Sequence, residues 1–181
     1  EFIYPETLNL PGYKPILDGD PSQIKKAAKL ISESKKPVIL AGHGGIISRG
    51  YDELLELAEK AQIPVITTLL GRSAFPDAHV LFAGMPGMHG MAYASLAIDE
   101  ADLVIGLGMR FDDRITGNVN LFAPNAKVVH VDIDPAEIGK NVNVDVPIVG
   151  DLARVLRQLN KVMPSKTHGP WLKRVENLKE E

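Results

Sequence analysis

The chain has 181 residues, of which 45% are hydrophobic and 24% are charged, and its formal net charge is −3. These values suit one globular domain with its own core, and the interspersed charges exclude a basic surface for nucleic acid or for an anionic membrane. The sequence contains no cysteine, which excludes disulfides and thiolate metal sites and favours a reducing compartment, so we expect the cytoplasm. No apolar run approaches the roughly 18 residues of a membrane span.

The first twenty residues are rich in proline and glycine, which predicts an extended interdomain linker over 1–20. Apolar spacing and turn residues predict helices over 21–33, 48–62, 92–100 and 152–163, and a helix or tail over 171–181. Strands are predicted at 38–41, 64–68, 103–107, 127–133 and 144–149. Between them lie a glycine turn at 42–45, an irregular loop at 79–91 and a turn-rich segment at 115–125.

Strands that alternate with helices and end in glycines or carboxylates predict an α/β fold, namely a doubly wound, Rossmann-like parallel sheet with helices on both faces. We expect this domain to cover 21–165, with 166–181 as the start of a second linker. A ligand of such a sheet binds in the crevice at the carboxyl ends of its strands.

The segment 102–117 shows this pattern most clearly, because an apolar strand ends abruptly in glycines and charges. Gly106 and Gly108 lack side chains there, which would let a ligand approach the backbone. Arg110, Asp112, Asp113 and Arg114 follow within a few residues. They form either a solvated loop with local ion pairs of little net energy or a ligand-facing loop, and the two glycines favour the second interpretation.

A second glycine-rich motif, Gly42-His43-Gly44-Gly45, lies between a predicted strand and a predicted helix, where backbone N–H groups favour an anion such as a phosphate. The match to the dinucleotide motif is partial, since Ile47 stands at the place of its third glycine. Thr67 and Thr68 stand where an acidic ribose ligand is expected. An ordinary NAD site is therefore disfavoured, and no Gly-Lys-Ser/Thr sequence indicates an ATP-binding loop.

The spacing of the histidines does not predict a metal site, because no two of them share a helix turn with a carboxylate. His130 alternates within a predicted strand and is expected to be a hydrogen-bonded structural residue. His43 and His89 lie in glycine-rich loops and are expected near the ligand.

Several motifs together resemble the central domain of the acetohydroxyacid synthase (acetolactate synthase) family of thiamine-diphosphate enzymes, over about residues 1–165. The motifs that carry the resemblance are Pro-Val-Ile-Leu-Ala-Gly-His-Gly at 37–44, Gly-Met-His-Gly at 87–90, Gly-Met-Arg-Phe-Asp-Asp-Arg-Ile-Thr-Gly at 108–117, His-Val-Asp-Ile-Asp at 130–134 and Glu-Ile-Gly-Lys-Asn at 137–141. The Arg-Phe-Asp-Asp-Arg segment separates this family from other thiamine-diphosphate enzymes. Gly45 and Pro86 depart from the residues usual at their positions.

The resemblance implies an enzyme that joins two pyruvates, or pyruvate and 2-ketobutyrate, in branched-chain amino-acid biosynthesis, with thiamine diphosphate and Mg²⁺ as cofactors. It also implies FAD on this domain, bound without flavin chemistry, and other domains of the same enzyme, a homo-oligomer and a regulatory subunit as partners. By motif match, the residues expected to line FAD are Gly42, Gly44, Thr68, Leu69, Gly87, Met88, His89, Gly108, Arg110, Asp112, Arg114, Ile115, Asp132, Ile133, Asp151 and Leu152.

The family's catalytic glutamate belongs to a preceding domain, and its thiamine-diphosphate motif, Gly-Asp-Gly followed by Asn, belongs to a following one. We therefore expect this chain alone to carry no catalytic or metal-ligating residue and to be inactive. Two alternatives remain open, a cofactor-free scaffolding domain of a related enzyme and an NAD-binding Rossmann domain. Retention of Arg110 and Asp132 argues against the first.

Overall fold

The structure is a computed structural model that describes residues 6, 7, 12 and 14–180. Its centre is a five-stranded sheet in the order β2-β1-β3-β4-β5, in which every neighbouring pair is parallel. The strands are β1 (Pro37–Ala41), β2 (Val65–Thr67), β3 (Leu103–Leu107), β4 (Lys127–Asp132) and β5 (Val146–Val149).

Seven α-helices accompany the sheet within the described part of the chain. They are α1 (Pro21–Glu33), α2 (His43–Ile47), α3 (Tyr51–Ala61), α4 (Ala92–Glu100), α5 (Asp113–Thr116), α6 (Leu152–Val162) and α7 (Gly169–Leu178). One core contains the buried residues of α1, α3 and α6, and a second core contains those of α4 and α7. Since both cores also contain strand residues, helices cover both faces, and the predicted doubly wound α/β fold is confirmed.

Helices α1 and α6 begin where local side chains cap them. Asp20 accepts hydrogen bonds from the N–H groups of Ser22 and Gln23, and Pro21 occupies the first turn, where a missing N–H costs nothing. Asp151 accepts from the N–H of Arg154 at the start of α6. These two caps fix where the helices leave the sheet.

The start predicted for the helix 48–62 is wrong. The glycine motif forms the separate helix α2 instead of an open turn, and α3 starts only at Tyr51. Between them Arg49 has a φ of 55°, and the N–H of Gly50 donates to the carbonyl of Gly45. A left-handed residue cannot continue an α-helix, so the chain turns before α3 begins.

The segment predicted as a helix or tail is the helix α7, which packs against α4. Trp171 is 3% exposed and its indole N–H donates to the carbonyl of Pro37 at 2.8 Å. Arg174 of α7 forms a two-pronged ion pair with Glu100 of α4. The end of the chain is thereby held on the second face of the sheet.

Half of the linker predicted at the beginning of the chain, residues 1–5, 8–11 and 13, lies outside the described residues. The segment 14–20 has neither helix nor strand. The carbonyl of Leu17 accepts from the N–H of Asp151, and Gly19 exchanges two hydrogen bonds with the side chain of Gln158. This segment therefore lies along the beginning of α6.

The order of the strands places a topological switch point between β1 and β3. From β1 the chain passes to β2 on one side, and from β2 it crosses to β3 on the other side of β1. Ligands of open parallel sheets bind at the carboxyl ends of the strands beside such a point. Among the described residues, no helix is long and apolar enough to cross a membrane.

Candidate functional site

A cleft of about 810 Å³ lies at the carboxyl ends of the strands, beside the switch point between β1 and β3. We call it the strand-end cleft. The segments that line it follow β1, β2, β3, β4 and β5, together with the loop 85–89 that precedes α4. Several large apolar side chains on its walls are more than 40% exposed, namely Ile47, Leu69, Leu70, Met88 and Ile133. Such a concave, largely apolar site is typical of a small-molecule ligand.

The floor of the cleft is a contact between the backbones of two glycines. A Cβ atom on Gly44 would lie 2.7 Å from the Cα of Gly108, and a Cβ on Gly42 would lie 2.2 Å from the carbonyl oxygen of Gly108. The N–H of Gly44 donates to that same oxygen at 3.1 Å. These glycines therefore allow α2 to pack on the end of β3.

Gly106 has a different role from the one expected. A Cβ atom there would lie 2.5 Å from the ring of Phe111, and Gly106 does not line the cleft. The prediction that Gly106 opens the strand end to a ligand is wrong, because the space is filled by Phe111.

The charged segment after β3 forms local ion pairs and also faces the cleft, so it has features of both predicted alternatives. Arg110 pairs with Asp112 at 3.1 Å and Arg114 pairs with Asp113 at 3.3 Å, and both arginine side chains are at least 66% exposed. Exposed pairs of this kind contribute little stability. Arg110, Asp112 and Arg114 nevertheless line the cleft, so their charges are available to a ligand.

The loop before α4 is attached to this charged segment. The N–H of Met88 donates to the carbonyl of Arg114 at 3.2 Å, and a Cβ atom on Gly87 would lie 2.2 Å from that oxygen. Gly87 is therefore required for the contact of the two backbones. Met88, 69% exposed, extends to the cleft beside His89.

The ends of β4 and β5 supply further carboxylates to the cleft. Asp132 accepts from the N–H of Asp134 at 2.9 Å, and Asp151 accepts from the N–H of Arg154 at 3.1 Å. Each bond uses one oxygen of a carboxylate that has two. Both aspartates therefore keep acceptor capacity for hydroxyl or amino groups of a ligand.

His130 of β4 is buried behind the cleft, with its Nε2 2.7 Å from the carbonyl oxygen of Met109. Burial lowers the pKa of His130, and the Met109 carbonyl and the charges of Asp132 and Glu137 only partly oppose this shift. A neutral ring with its hydrogen on Nε2 donates to Met109. The prediction that His130 is a hydrogen-bonded structural residue is confirmed.

Comparison with known proteins identifies the domain. Residues 24–159 match the family model described as "Thiamine pyrophosphate enzyme, central domain". The chain belongs to this family. It is 55% identical to a probable acetolactate synthase large subunit of Methanocaldococcus jannaschii over 99% of its own length and 31% of that protein.

Two bacterial relatives show the same correspondence. An acetolactate synthase of Mycobacterium avium is 52% identical, with 90% of this chain and 26% of that protein covered. An acetolactate synthase large subunit of Corynebacterium glutamicum is 51% identical, with 88% and 25% covered. The central domain thus spans about a quarter to a third of the length of these relatives, and the resemblance drawn from the motifs is confirmed.

The structure brings most of the residues expected from the motifs around one cleft in this central domain. Gly42 and Gly87 do not line it, and a Cβ atom on either glycine would overlap neighbouring backbone. The residues that do line it are Gly44, Thr68, Leu69, Met88, His89, Gly108, Arg110, Asp112, Arg114, Ile115, Asp132, Ile133, Asp151 and Leu152.

His43, which was expected near the ligand, also lines the cleft. Ten further residues line it for which the sequence predicted no contact with the ligand. They are Ile47, Ser48, Leu70, Met85, Pro86, Met109, Phe111, Asp134, Glu137 and Gly150. Most of these ten residues are immediate neighbours of residues that were expected to line the site. Their position beside a strand end was therefore the feature of the sequence that could have predicted them. Ile47 and Ser48 could not be placed, because α2 was read as an open turn.

The described part of the central domain contains no group of three or more His, Asp, Glu or Cys side chains placed to hold a metal ion.

The end of β2 carries no acidic residue. Thr67 is fully buried, and the Thr68 hydroxyl accepts from the N–H of Gly71 at 3.1 Å. The position at which a dinucleotide fold binds ribose through a carboxylate is therefore used here for capping a turn.

Proposed function

We propose that this chain is the FAD-holding central domain of an acetolactate synthase large subunit. The complete enzyme would join two pyruvates, or pyruvate and 2-ketobutyrate, with loss of CO₂ in branched-chain amino-acid biosynthesis. Thiamine diphosphate and Mg²⁺ would be held by its other domains. Membership of the thiamine pyrophosphate enzyme family and the acetolactate synthase relatives support this assignment.

The observation that carries the flavin proposal is the composition of the strand-end cleft. Its volume of about 810 Å³ lies toward the upper end of the roughly 300–1,000 Å³ that is typical of small-molecule sites, which suits an extended dinucleotide. The lining combines the cations Arg110 and Arg114, carboxylates such as Asp132 and Asp151, and large apolar side chains. This composition fits FAD, which combines a diphosphate, several hydroxyl groups and two apolar ring systems.

Within the cleft, Arg110 would donate to phosphate or flavin oxygens, and Arg114 would lie beside the cofactor at the rim. Asp132 and Asp151 would accept from ribityl, ribose or adenine donors. Ile133 and Leu152 would contact the ring systems. FAD bound in this way would serve as a structural group of the domain.

The domain organisation follows from the same assignment. We propose that 1–20 and 166–181 lead from the central domain 21–165 to the preceding and following domains of the enzyme, with α7 of the second connection packed on the sheet. Homo-oligomerisation, binding of a regulatory subunit and location in the cytoplasm belong to the proposed enzyme as a whole. The relatives, which are three to four times longer than the matched segment, support the presence of other domains.

An NAD-binding domain is the weaker candidate. Ile47, 73% exposed, lines the cleft where a dinucleotide motif has its third glycine, and β2 ends without an acidic residue. A cofactor-free scaffold is disfavoured because Arg110 and Asp132 would then lie on an apolar cleft without a ligand.

Flavin binding is tested by fluorescence titration of this chain with FAD and, as a control, with NAD. We expect saturable quenching of flavin fluorescence and weak affinity, since neighbouring domains would supply part of the ligand surface. Tighter binding of NAD than of FAD would overturn the assignment. Absence of binding of either nucleotide at millimolar concentration would favour the scaffold.

A further inference from the structure

The turn that carries Arg110 is held by side chains from two distant segments. The carbonyl of Met109 accepts from His130 Nε2 at 2.7 Å, and the carbonyls of Arg110 and Phe111 accept from Asn141 Nδ2 at 3.2 and 3.1 Å. Three successive carbonyls that belong to no helix or strand thus each have a side-chain donor. We propose that His130 and Asn141 are positioning residues that hold this turn so that Arg110 faces the ligand in the strand-end cleft.

The conformation of the turn explains why such donors are needed. Gly108 and Phe111 both have positive φ values, 60° and 50°. A left-handed conformation at a bulky residue such as phenylalanine is strained and persists only when its surroundings hold it. The side chains of Met109 and Phe111 are 4% and 1% exposed, which anchors both ends of the turn.

The orientation of the Arg110 side chain depends on this backbone, because the side chain itself has few contacts that hold it. The guanidinium is 66% exposed, and its contact within the described residues is the ion pair with Asp112. A surface pair of this kind contributes little stability and does not fix the long side chain in one position. The direction in which Arg110 leaves the backbone therefore decides whether it reaches the ligand.

His130 supports the turn through packing as well as through its hydrogen bond. Its ring meets Phe111 edge to face, with centroids 4.9 Å apart at 90°. Its Nδ1 is buried without a partner, so the Nε2 hydrogen bond is the polar contact that fixes the ring. Asn141, which is exposed, holds the outer side of the same turn.

This inference rests on the proposed flavin site, and a double-mutant cycle tests it. Asn141→Asp removes the two donors at nearly constant shape, and Asn143→Asp places the same charge on a neighbouring exposed side chain as the matched control. We expect Asn141→Asp to weaken FAD binding about tenfold and Asn143→Asp less than about twofold. In an Arg110→Ala background, Asn141→Asp should add less than about twofold, since it acts through Arg110.

His130 offers a test by conservative rescue. His130→Gln keeps an amide donor at the reach of Nε2, whereas His130→Leu keeps the bulk and loses the donor. We expect FAD affinity close to wild type in the first variant and about tenfold lower in the second. Equal affinities in the two variants would overturn the role of the hydrogen bond, and additive effects in the cycle would show that Asn141 acts independently of Arg110.

A flavin-free measurement separates this inference from the proposed function. The ¹³C shifts of the carbonyls of Arg110 and Phe111 report whether they accept hydrogen bonds. We expect Asn141→Asp to move both shifts and Asn143→Asp to leave them in place. If the wild-type chain does not bind FAD, the proposed function fails; if Asn141→Asp leaves both carbonyl shifts unchanged, the inference fails.

Discussion

Gly44 and Gly108 meet backbone to backbone, so that a Cβ atom on Gly108 would lie 2.6 Å from the Cα of Gly44. This contact joins the beginning of α2 to the end of β3 at the switch point of the sheet. Both glycines line the strand-end cleft, as do their chain neighbours His43 and Arg110.

Replacing Gly108 by alanine should therefore destabilise the domain strongly. The φ of 60° disfavours any side chain, and the new Cβ would overlap backbone that cannot move aside. We expect the free energy of unfolding to fall by about 3 kcal/mol or more. Urea unfolding followed by circular dichroism measures the change.

Gly139→Ala is the control for this prediction. Gly139 also has a positive φ, 73°, but a Cβ atom there would contact nothing within 4 Å. We expect Gly139→Ala to cost about 1 kcal/mol from the backbone conformation alone. Equal losses in the two variants would mean that the contact with Gly44 contributes nothing.

The contrast between glycines also shows what sequence can predict. Apolar runs located all five strands, because buried parallel strands depend on local composition. The role of Gly106 could not be read in this way, since it depends on the ring of Phe111, which folds back over the strand. The break between α2 and α3 was missed for a similar reason, as it depends on the left-handed conformation of Arg49.

The candidate site was predictable in its residues but not in its architecture. Motifs identified the strand ends that line the cleft, because their order along the sheet follows from the fold. They could not show that Gly42 and Gly87 are used for backbone contacts, or that Asn141 holds the turn of Arg110 from 31 positions away. Such relationships arise only when distant segments meet.

The burial of His130 predicts a pH dependence of stability. Because the pKa of His130 is lowered in the folded state, the unfolded chain binds a proton first as the pH falls. Stability should be complete above the unfolded pKa of about 6.5 and should decrease as the pH falls from there through the folded pKa. Melting temperatures at pH 8, 6 and 5 measure this loss.

The His130→Gln variant serves as the control, since it cannot titrate in this range. Its melting temperature should fall less between pH 8 and pH 5 than that of the wild type. The lowered pKa of Glu100, which is caused mainly by its hydrogen bond with Arg174, contributes stability that is lost only at more acidic pH, below about 4.5. Parallel curves for the two proteins between pH 8 and pH 5 would contradict the assignment to His130.

The chain alone should produce no acetolactate from pyruvate, even with thiamine diphosphate, Mg²⁺ and FAD supplied. The described residues contain no candidate metal cluster, and the resemblance assigns the catalytic glutamate and the diphosphate motif to other domains. A colorimetric acetolactate assay tests this, with the Corynebacterium glutamicum acetolactate synthase large subunit as positive control. Turnover above the buffer blank would contradict the prediction.

Arg110→Ala should weaken FAD binding while the fold stays intact. A charge-assisted hydrogen bond contributes roughly 1.5–3 kcal/mol, or about one to two decades in affinity. The side chain is 66% exposed, so its loss leaves the core unchanged. Arg72→Ala is the matched control, because Arg72 forms a similar exposed pair with Asp77 and does not line the cleft. Equal FAD affinity in the two variants would remove Arg110 from the site.

Arg114 and Met88 are expected to face the substrate path of the complete enzyme. Both side chains are about 70% exposed at the rim of the cleft, and the backbone bond between Met88 and Arg114 holds them together. In a full-length enzyme with this central domain, Arg114→Ala should lower kcat or raise KM for pyruvate several-fold and shift the melting temperature little, since an exposed pair with Asp113 contributes little stability.

Arg157→Ala provides the comparison for this substitution. Arg157 is also exposed and pairs with Glu53, and it does not line the cleft. Arg157→Ala should leave kcat and KM unchanged. A kinetic effect limited to Arg114→Ala then identifies a contact with substrate or with the neighbouring domain. If Arg114→Ala instead lowers the melting temperature and leaves the kinetics unchanged, Arg114 serves only to pack the rim of the cleft.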